Sequence, residues 1–150
     1  ADPFKRARNR AWTDFVPDFS KAINAIGYAK TREAMEEGVA NAPKVLSRLE
    51  RALATERDND GPYFNGPELC LVDAAYGPIL QRFAKVEAVL QTGVLKDFPL
   101  VQAWSDALLA NETVTGAVPD NFPEEFVGNH KRRETYVWSQ MQAGQTAAAE

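Results

Sequence analysis

Cysteine and histidine occur once each in this chain, as Cys70 and His130. A lone Cys permits no intramolecular disulfide, and one Cys with one His leaves no cluster at metal-ligand spacing. That usage suits a reducing compartment, so a cytoplasmic protein without a metal centre is expected. Basic charge is not in excess: 17 Lys and Arg stand against 21 Asp and Glu, a net charge of −4, which gives nucleic-acid binding no support. A membrane span needs about 18 or more consecutive apolar residues. The most apolar stretch, from Leu69, stops short at Gln81-Arg82, and no signal peptide or lipidation motif accompanies it, so no membrane role is expected. Phosphate-binding glycine motifs and a Ser nucleophile elbow are missing as well. The initiator Met is absent, and the chain opens directly on a helix-start signal, Asp2-Pro3. This suggests a fragment of a longer protein.

What is present is helix. With 150 residues, one domain is the default, long enough to bury about two-thirds of its unfolded surface. The stretch Leu69 to Phe83 organises the rest. Val72, Ala75, Tyr76, Ile79 and Phe83 share one face at i, i+3, i+4 spacing, while Leu71, Ala74, Pro78 and Leu80 make the other face apolar too. A helix hydrophobic nearly all round is one that others wrap. Its only charge before Arg82 is Asp73, three places after Cys70, where a capping box puts the acid that reaches back to the N-cap N–H. Asp73 is read as this cap rather than as a general acid or base, since no His, Lys or Cys partner has matching spacing.

Along the chain, Asp2-Pro3 starts a helix whose apolar stripe runs through Trp12, Phe15, Val16, Phe19, Ala22, Ile23 and Ile26. Pro17 should kink it without breaking its phase. Lys5, Arg6, Arg8 and Arg10 crowd its first turns; they read as a solvated face, with Arg8 able to stack on Trp12, or as an anion site. Gly27 to Thr31 is a turn. A second pattern, Arg32 to Thr55, runs through Met35, Val39, Ala42, Leu46, Leu49 and Leu53, with Gly38 and Pro43 weakening its first half; the regular portion is expected over 43–54. Its narrow seam suits internal packing or a second subunit. Residues 56–61 form a polar loop, after which Tyr63 and Phe64 are expected to plug the underside of the central helix. Pro99 opens a helix through Val101, Trp104 and Leu108, Asn111 caps a short segment, and Pro123 starts a last helix through Phe126, Val127, His130, Val137 and Met141. Residues 143–150 read as a disordered tail. His130 and Cys70 are both read as structural: the one has no co-ligands, the other has apolar neighbours that bury the thiol.

Gly-Pro-Tyr-Phe-Asn-Gly followed by Leu-Cys-Leu-Val-Asp-Ala-Ala-Tyr, residues 61–76, resembles the centre of the C-terminal all-helical domain of a bacterial-type cytosolic glutathione S-transferase. There a loop ending in Gly leads to a Ser/Thr-x-x-Asp capping box that opens the buried central helix. Asp2 to Arg8 is similar to the first helix of that domain, and Phe98 to Val114 to the helices after the central one. Cys70 departs from the pattern, and a thiol is a weak acceptor for the N3 amide.

The resemblance implies an all-α orthogonal bundle of about five to seven helices around a central helix starting near Leu71. It implies residues 1–142 as this domain, with the preceding thioredoxin-like domain absent from the chain. That missing domain would carry most of the glutathione site and the catalytic residue, so no catalytic residue is assigned here. The helical domain would supply a wall of the hydrophobic co-substrate pocket, and the positions that match are Trp12, Phe15, Phe19 and Ser20, with Tyr136 and Trp138 from the tail. Ordinary core is the competing reading for these residues. The implied parent transfers glutathione to electrophiles or reduces disulfides, as a homodimer through the first two helices; this chain alone is expected to be inactive. The alternative is a non-catalytic interaction module of the same fold, binding a partner through the Leu46, Leu49, Leu53 seam.

Overall fold

The computed structural model describes residues 2–57 and 59–147. Among them lie nine α-helices: α1 (Pro3–Asp14), α2 (Val16–Gly27), α3 (Arg32–Asn41), α4 (Pro43–Arg51), α5 (Leu71–Leu90), α6 (Pro99–Leu109), α7 (Glu112–Thr115), α8 (Phe122–Arg132) and α9 (Tyr136–Ala147). The single residues joining α1 to α2 and α3 to α4, Phe15 and Ala42, keep right-handed helical dihedrals, so the nine segments make seven rods. The described residues contain no strand, only an isolated bridge between Tyr63 and Gly66. The all-α bundle implied by the resemblance is the architecture found.

The central helix is α5. Val72, Tyr76, Leu80 and Phe83 are almost fully buried, and α1, α2, α6, α7 and α9 all pack on it. Two glycines set close approaches. A Cβ on Gly77 would lie 2.9 Å from Val114 Cγ1, which lets α7 sit against α5; one turn on, Gln81 Nε2 donates to the Thr115 carbonyl at 3.0 Å. A Cβ on Gly38 would lie 3.0 Å from the Ala25 carbonyl, so Gly38 is where α3 crosses α2 backbone to backbone.

Three local expectations change. The stripe through Pro17 runs on as expected: Phe15, between α1 and α2, stays helical, and Phe19 N donates to the Phe15 carbonyl at 3.2 Å. The regular part of residues 32–55 is not 43–54: α3 is a full helix because Gly38 serves packing, and the last turn, Ala52–Glu56, widens to a π-helix in which Arg57 N donates to the Ala52 carbonyl. The final helix is two. Glu134 takes a left-handed φ of 51°, and Thr135 Oγ1 accepts from Trp138 N at 3.2 Å to open α9. Residues 143–147 continue α9, while 148–150 of the expected tail lie outside the described residues.

The seam needs no second subunit. Leu46 and Leu49 have no exposed surface and Leu53 is 3 % exposed, all within the core. Glu50, beside them on α4, holds α6: Oε1 and Oε2 accept from Leu100 N at 3.0 Å and Val101 N at 2.9 Å, where helix N-terminal donors have no internal partners.

Candidate functional site

Asp73 is the best-connected polar group of the core. Its Oδ2 accepts from Cys70 N at 2.8 Å, closing the reach-back half of the capping box. Its Oδ1 accepts from Phe64 N at 2.9 Å and from Trp104 Nε1 at 2.7 Å. The residue has no exposed surface, so its charge is compensated by three donors from three segments rather than by water. This is scaffolding, in keeping with a cap rather than a catalyst. In the forward half of the box the Cys70 sulfur faces the Asp73 amide, and it also accepts from Asn65 Nδ2 at 3.1 Å. Burial, then the hydrogen bond to Asp73, push the Cys70 thiol up from its ordinary value, which keeps it protonated and a poor nucleophile. The plug is as the sequence suggests: Phe64 is 1 % exposed and its ring meets both Trp12 and Trp104, while the Tyr63 hydroxyl accepts from Asn111 Nδ2 at 2.7 Å.

The six candidate pocket residues fall into two groups. Trp12, Phe15 and Phe19 are core: Phe15 stands edge-on to Trp12 at 5.5 Å, and Phe19 lies 5.0 Å from Tyr76. Their polar surroundings bind them inward. Trp12 Nε1 donates to Glu56 Oε2 at 3.1 Å, its carbonyl accepts from the Tyr76 hydroxyl at 2.8 Å, and the Arg48 guanidinium lies 4.2 Å from the Phe15 ring centroid. Desolvation pushes the Tyr76 hydroxyl well above the usual tyrosine range, so it stays a donor to Trp12. Ser20, Tyr136 and Trp138 are half-buried. Ser20 Oγ accepts from Asn24 Nδ2, Tyr136 N donates to the Ala29 carbonyl at 2.7 Å, and Lys131 Nζ lies 5.9 Å from the Trp138 ring. No hydrogen bond or ring contact among the described residues joins the two groups, though α9 is tied to the end of α2 through Tyr136.

A shallow concavity of about 1200 Å³ lies along the other side of α1, bordered by Lys5, Arg6, Arg10, Asp14 and, from α5, Leu71. None of the six candidates borders it. Leu71 is 70 % exposed there, and Phe4 of α1 is 84 % exposed. Arg8 leaves this cationic group: it does not stack on Trp12 but donates to the Glu56 carbonyl and, at 3.0 Å, to Asn65 Oδ1. The π-helical turn thus brings Glu56 to α1 twice, a role that no spacing in the sequence signals.

His130 is 1 % exposed, stacked on Tyr28 at 5.1 Å and edge-on to Phe126 at 4.5 Å, with Nδ1 2.9 Å from Thr135 Oγ1. Burial, then the nearby Arg133 charge, lower its pKa from the ordinary value. It is a structural residue that joins α2, α8 and α9. No group of three or more His, Cys, Asp or Glu among the described residues could hold a metal ion.

A buried central helix opened by a capping box, with a loop plug beneath it and an all-helical wrap, defines the glutathione transferase type of helical domain. Residues 32–107 match the family model described as glutathione S-transferase, C-terminal domain, and the chain belongs to that family. It is 30 % identical over 135 residues to the maize (Zea mays) protein named glutathione transferase GST 23, covering 89 % of this chain and 58 % of the relative. It is likewise 30 % identical over 124 residues to the maize probable glutathione S-transferase BZ2, covering 79 % and 52 %. Similarity to Arabidopsis thaliana glutathione S-transferase U19 is 29 % over 136 residues, covering 89 % and 59 %. These relatives are plant proteins, so the bacterial-type description finds no support. The chain spans a little over half the length of the curated relatives it matches. No helix of the described residues is long and apolar enough to cross a membrane.

Proposed function

We propose that this chain is the helical half of a glutathione S-transferase, the part that holds the hydrophobic electrophile while a thioredoxin-like domain binds most of the glutathione and supplies the catalytic residue. In the full-length cytoplasmic parent, glutathione is transferred to an electrophile or used to reduce a disulfide, and two copies pair through the first two rods, α1–α2 and α3–α4. The observation that carries this reading is the uncovered apolar surface beside the α1 concavity, Phe4 and Leu71, in a chain that spans little more than half of its relatives. Two large side chains left in water on adjacent elements suit a missing domain of the same protein. Of the pocket candidates, Ser20, Tyr136 and Trp138 keep exposed surface and are the ones assigned to touch the electrophile, whereas Trp12, Phe15 and Phe19 belong to the core. The internal burial of Leu46, Leu49 and Leu53 removes the surface on which the interaction-module alternative relied.

The test is the sequence upstream of Ala1 in the native protein, followed by an assay of the longer protein and of this chain with glutathione and an aryl halide. The reading expects an upstream thioredoxin-like domain, turnover by the longer protein and none by this chain. A native protein lacking such a domain, or glutathione-dependent turnover by the 150 residues alone, overturns it.

A further inference from the structure

A second cleft, of about 240 Å³, opens between the C-terminal half of α5, the loop after it and α6. It shares no bordering residue with the α1 concavity. Its floor is apolar: Leu80, Phe83 and Leu95 are each at least nine-tenths buried. Set among them is Ser105, 3 % exposed, whose hydroxyl makes no hydrogen bond with any described residue although a helical serine commonly bonds back to the carbonyl one turn before it. The Ser105 oxygen is not among the fully buried unpartnered atoms, so it keeps contact with the cleft, where a bound group can take up its hydrogen-bonding capacity.

The rim carries charge of both signs. The Lys96 side chain makes no ion pair or hydrogen bond among the described residues, and its stem folds over Gly93, with Cδ, Cε and Nζ all within 3.3 Å of where a Cβ there would be. Glycine at that position, φ 66°, is what lets the ammonium lie back at the mouth. Glu87 is occupied, both its oxygens accepting from Thr92 and Gly93. Asp106 is not: Oδ1 accepts from Gln102 Nε2 at 2.8 Å, and Oδ2 has no donor among the described residues. One available cation, one available carboxylate oxygen and one hydroxyl without a protein partner thus surround an apolar floor.

We infer that this cleft is a binding site for a small zwitterion with a compact apolar side chain, an aliphatic α-amino acid. Its carboxylate pairs with Lys96, its ammonium with Asp106, its side chain covers Leu80, Phe83 and Leu95, and Ser105 completes the polar contacts. A net single charge would leave one rim group facing its own sign. The volume, about eight waters' worth, suits a molecule of leucine's size.

The experiment titrates the 150-residue chain with L-leucine, 4-methylpentanoate (leucine without its ammonium) and 3-methylbutylamine (leucine without its carboxylate), following backbone amide shifts by NMR. Saturable shifts at Ser105, Lys96 and Gly93 with leucine, at least fivefold weaker with either singly charged probe, are expected. Ser105→Ala should weaken leucine binding about fivefold or more while leaving the Tm of the free chain unchanged, because the hydroxyl has no hydrogen bond among the described residues to lose. Lys96→Met should weaken leucine binding and leave 3-methylbutylamine unaffected. No saturable shift at these residues overturns the site; so does a Tm lowered by Ser105→Ala, which would make the hydroxyl structural. Equal binding of all three probes overturns the zwitterion assignment.

Discussion

Replacing Asp73 with Ala deletes a buried acceptor and orphans three donors at once: Cys70 N–H, Phe64 N–H and the Trp104 indole N–H. An unsatisfied buried donor costs about 1–3 kcal/mol, and bonds to a charged acceptor lie in the upper part of the usual range. The lost contacts then sum to about 3–9 kcal/mol, falling to the lower half of that range as water enters the vacated site. Whole-domain stability is about 5–15 kcal/mol, so D73A should be folded only marginally or not at all at 37 °C, with a Tm lowered by roughly 10–20 °C. D73N keeps an oxygen for Phe64 and Trp104 but turns an amide NH₂ towards the Cys70 N–H; about 2 kcal/mol is expected. Urea denaturation followed by far-UV circular dichroism and by tryptophan fluorescence measures both, with unchanged m-values. Trp104→Phe tests the sharing: in the Asp73 protein it removes one bond, whereas in D73A that bond is already gone, so the two substitutions should couple by about 1 kcal/mol or more. A D73A loss below about 1 kcal/mol, or additive behaviour with Trp104→Phe, would refute the account of Asp73 as a three-way junction.

Lowering the pH should weaken the fold through His130. Its folded pKa lies below the ordinary value, so the unfolded chain takes up the proton first; the stability is complete above about pH 6.5 and is lost as pH falls through that value towards the folded pKa. Urea midpoints at pH 7.5 and 5.5 should therefore converge in His130→Phe and differ in the parent. Gly38→Ala should destabilise by about 1–3 kcal/mol despite alanine's better helix propensity, because the methyl would press on the Ala25 carbonyl, whereas Gly144→Ala, with nothing within 4 Å, should stabilise by up to about 1 kcal/mol; thermal melts of the two separate packing from propensity. Glu50→Ala should cost about 1–2 kcal/mol by uncapping α6, and hydrogen exchange should quicken at Leu100 and Val101 before it does in α4.

Most of the bundle was legible because its signals are local. The apolarity of residues 71–80 marks a core helix, although Leu71, Ala74 and Pro78 on its second face are exposed; the Cys70–Asp73 spacing marks its cap, and Phe64 follows a turn that leads under it. What stayed hidden depends on partners far away in sequence. Nothing near Glu50 announces that it caps a helix 50 residues later, or near Gly38 that Ala25 lies against it. The α8–α9 break rests on a left-handed Glu134, a conformation that glutamate composition does not signal. The candidate pocket was the least readable part, since an aromatic at helical spacing looks alike whether it faces ligand or core. Burial separates Trp12, Phe15 and Phe19 from Ser20, Tyr136 and Trp138, and burial is a tertiary fact.

The tether between α9 and the end of α2 runs from the Tyr136 N–H to the Ala29 carbonyl, main chain to main chain. Such a bond takes no account of which side chains flank it. The residues of α9 that face outward, Trp138 among them, can therefore be exchanged without unseating the helix, provided Thr135 still caps it and proline stays out of position 136. In the proposed pocket such a wall is an interchangeable part: libraries randomised along its outer face would, on that proposal, vary what the domain accommodates while the Asp73 junction and the Glu50 cap keep the frame constant.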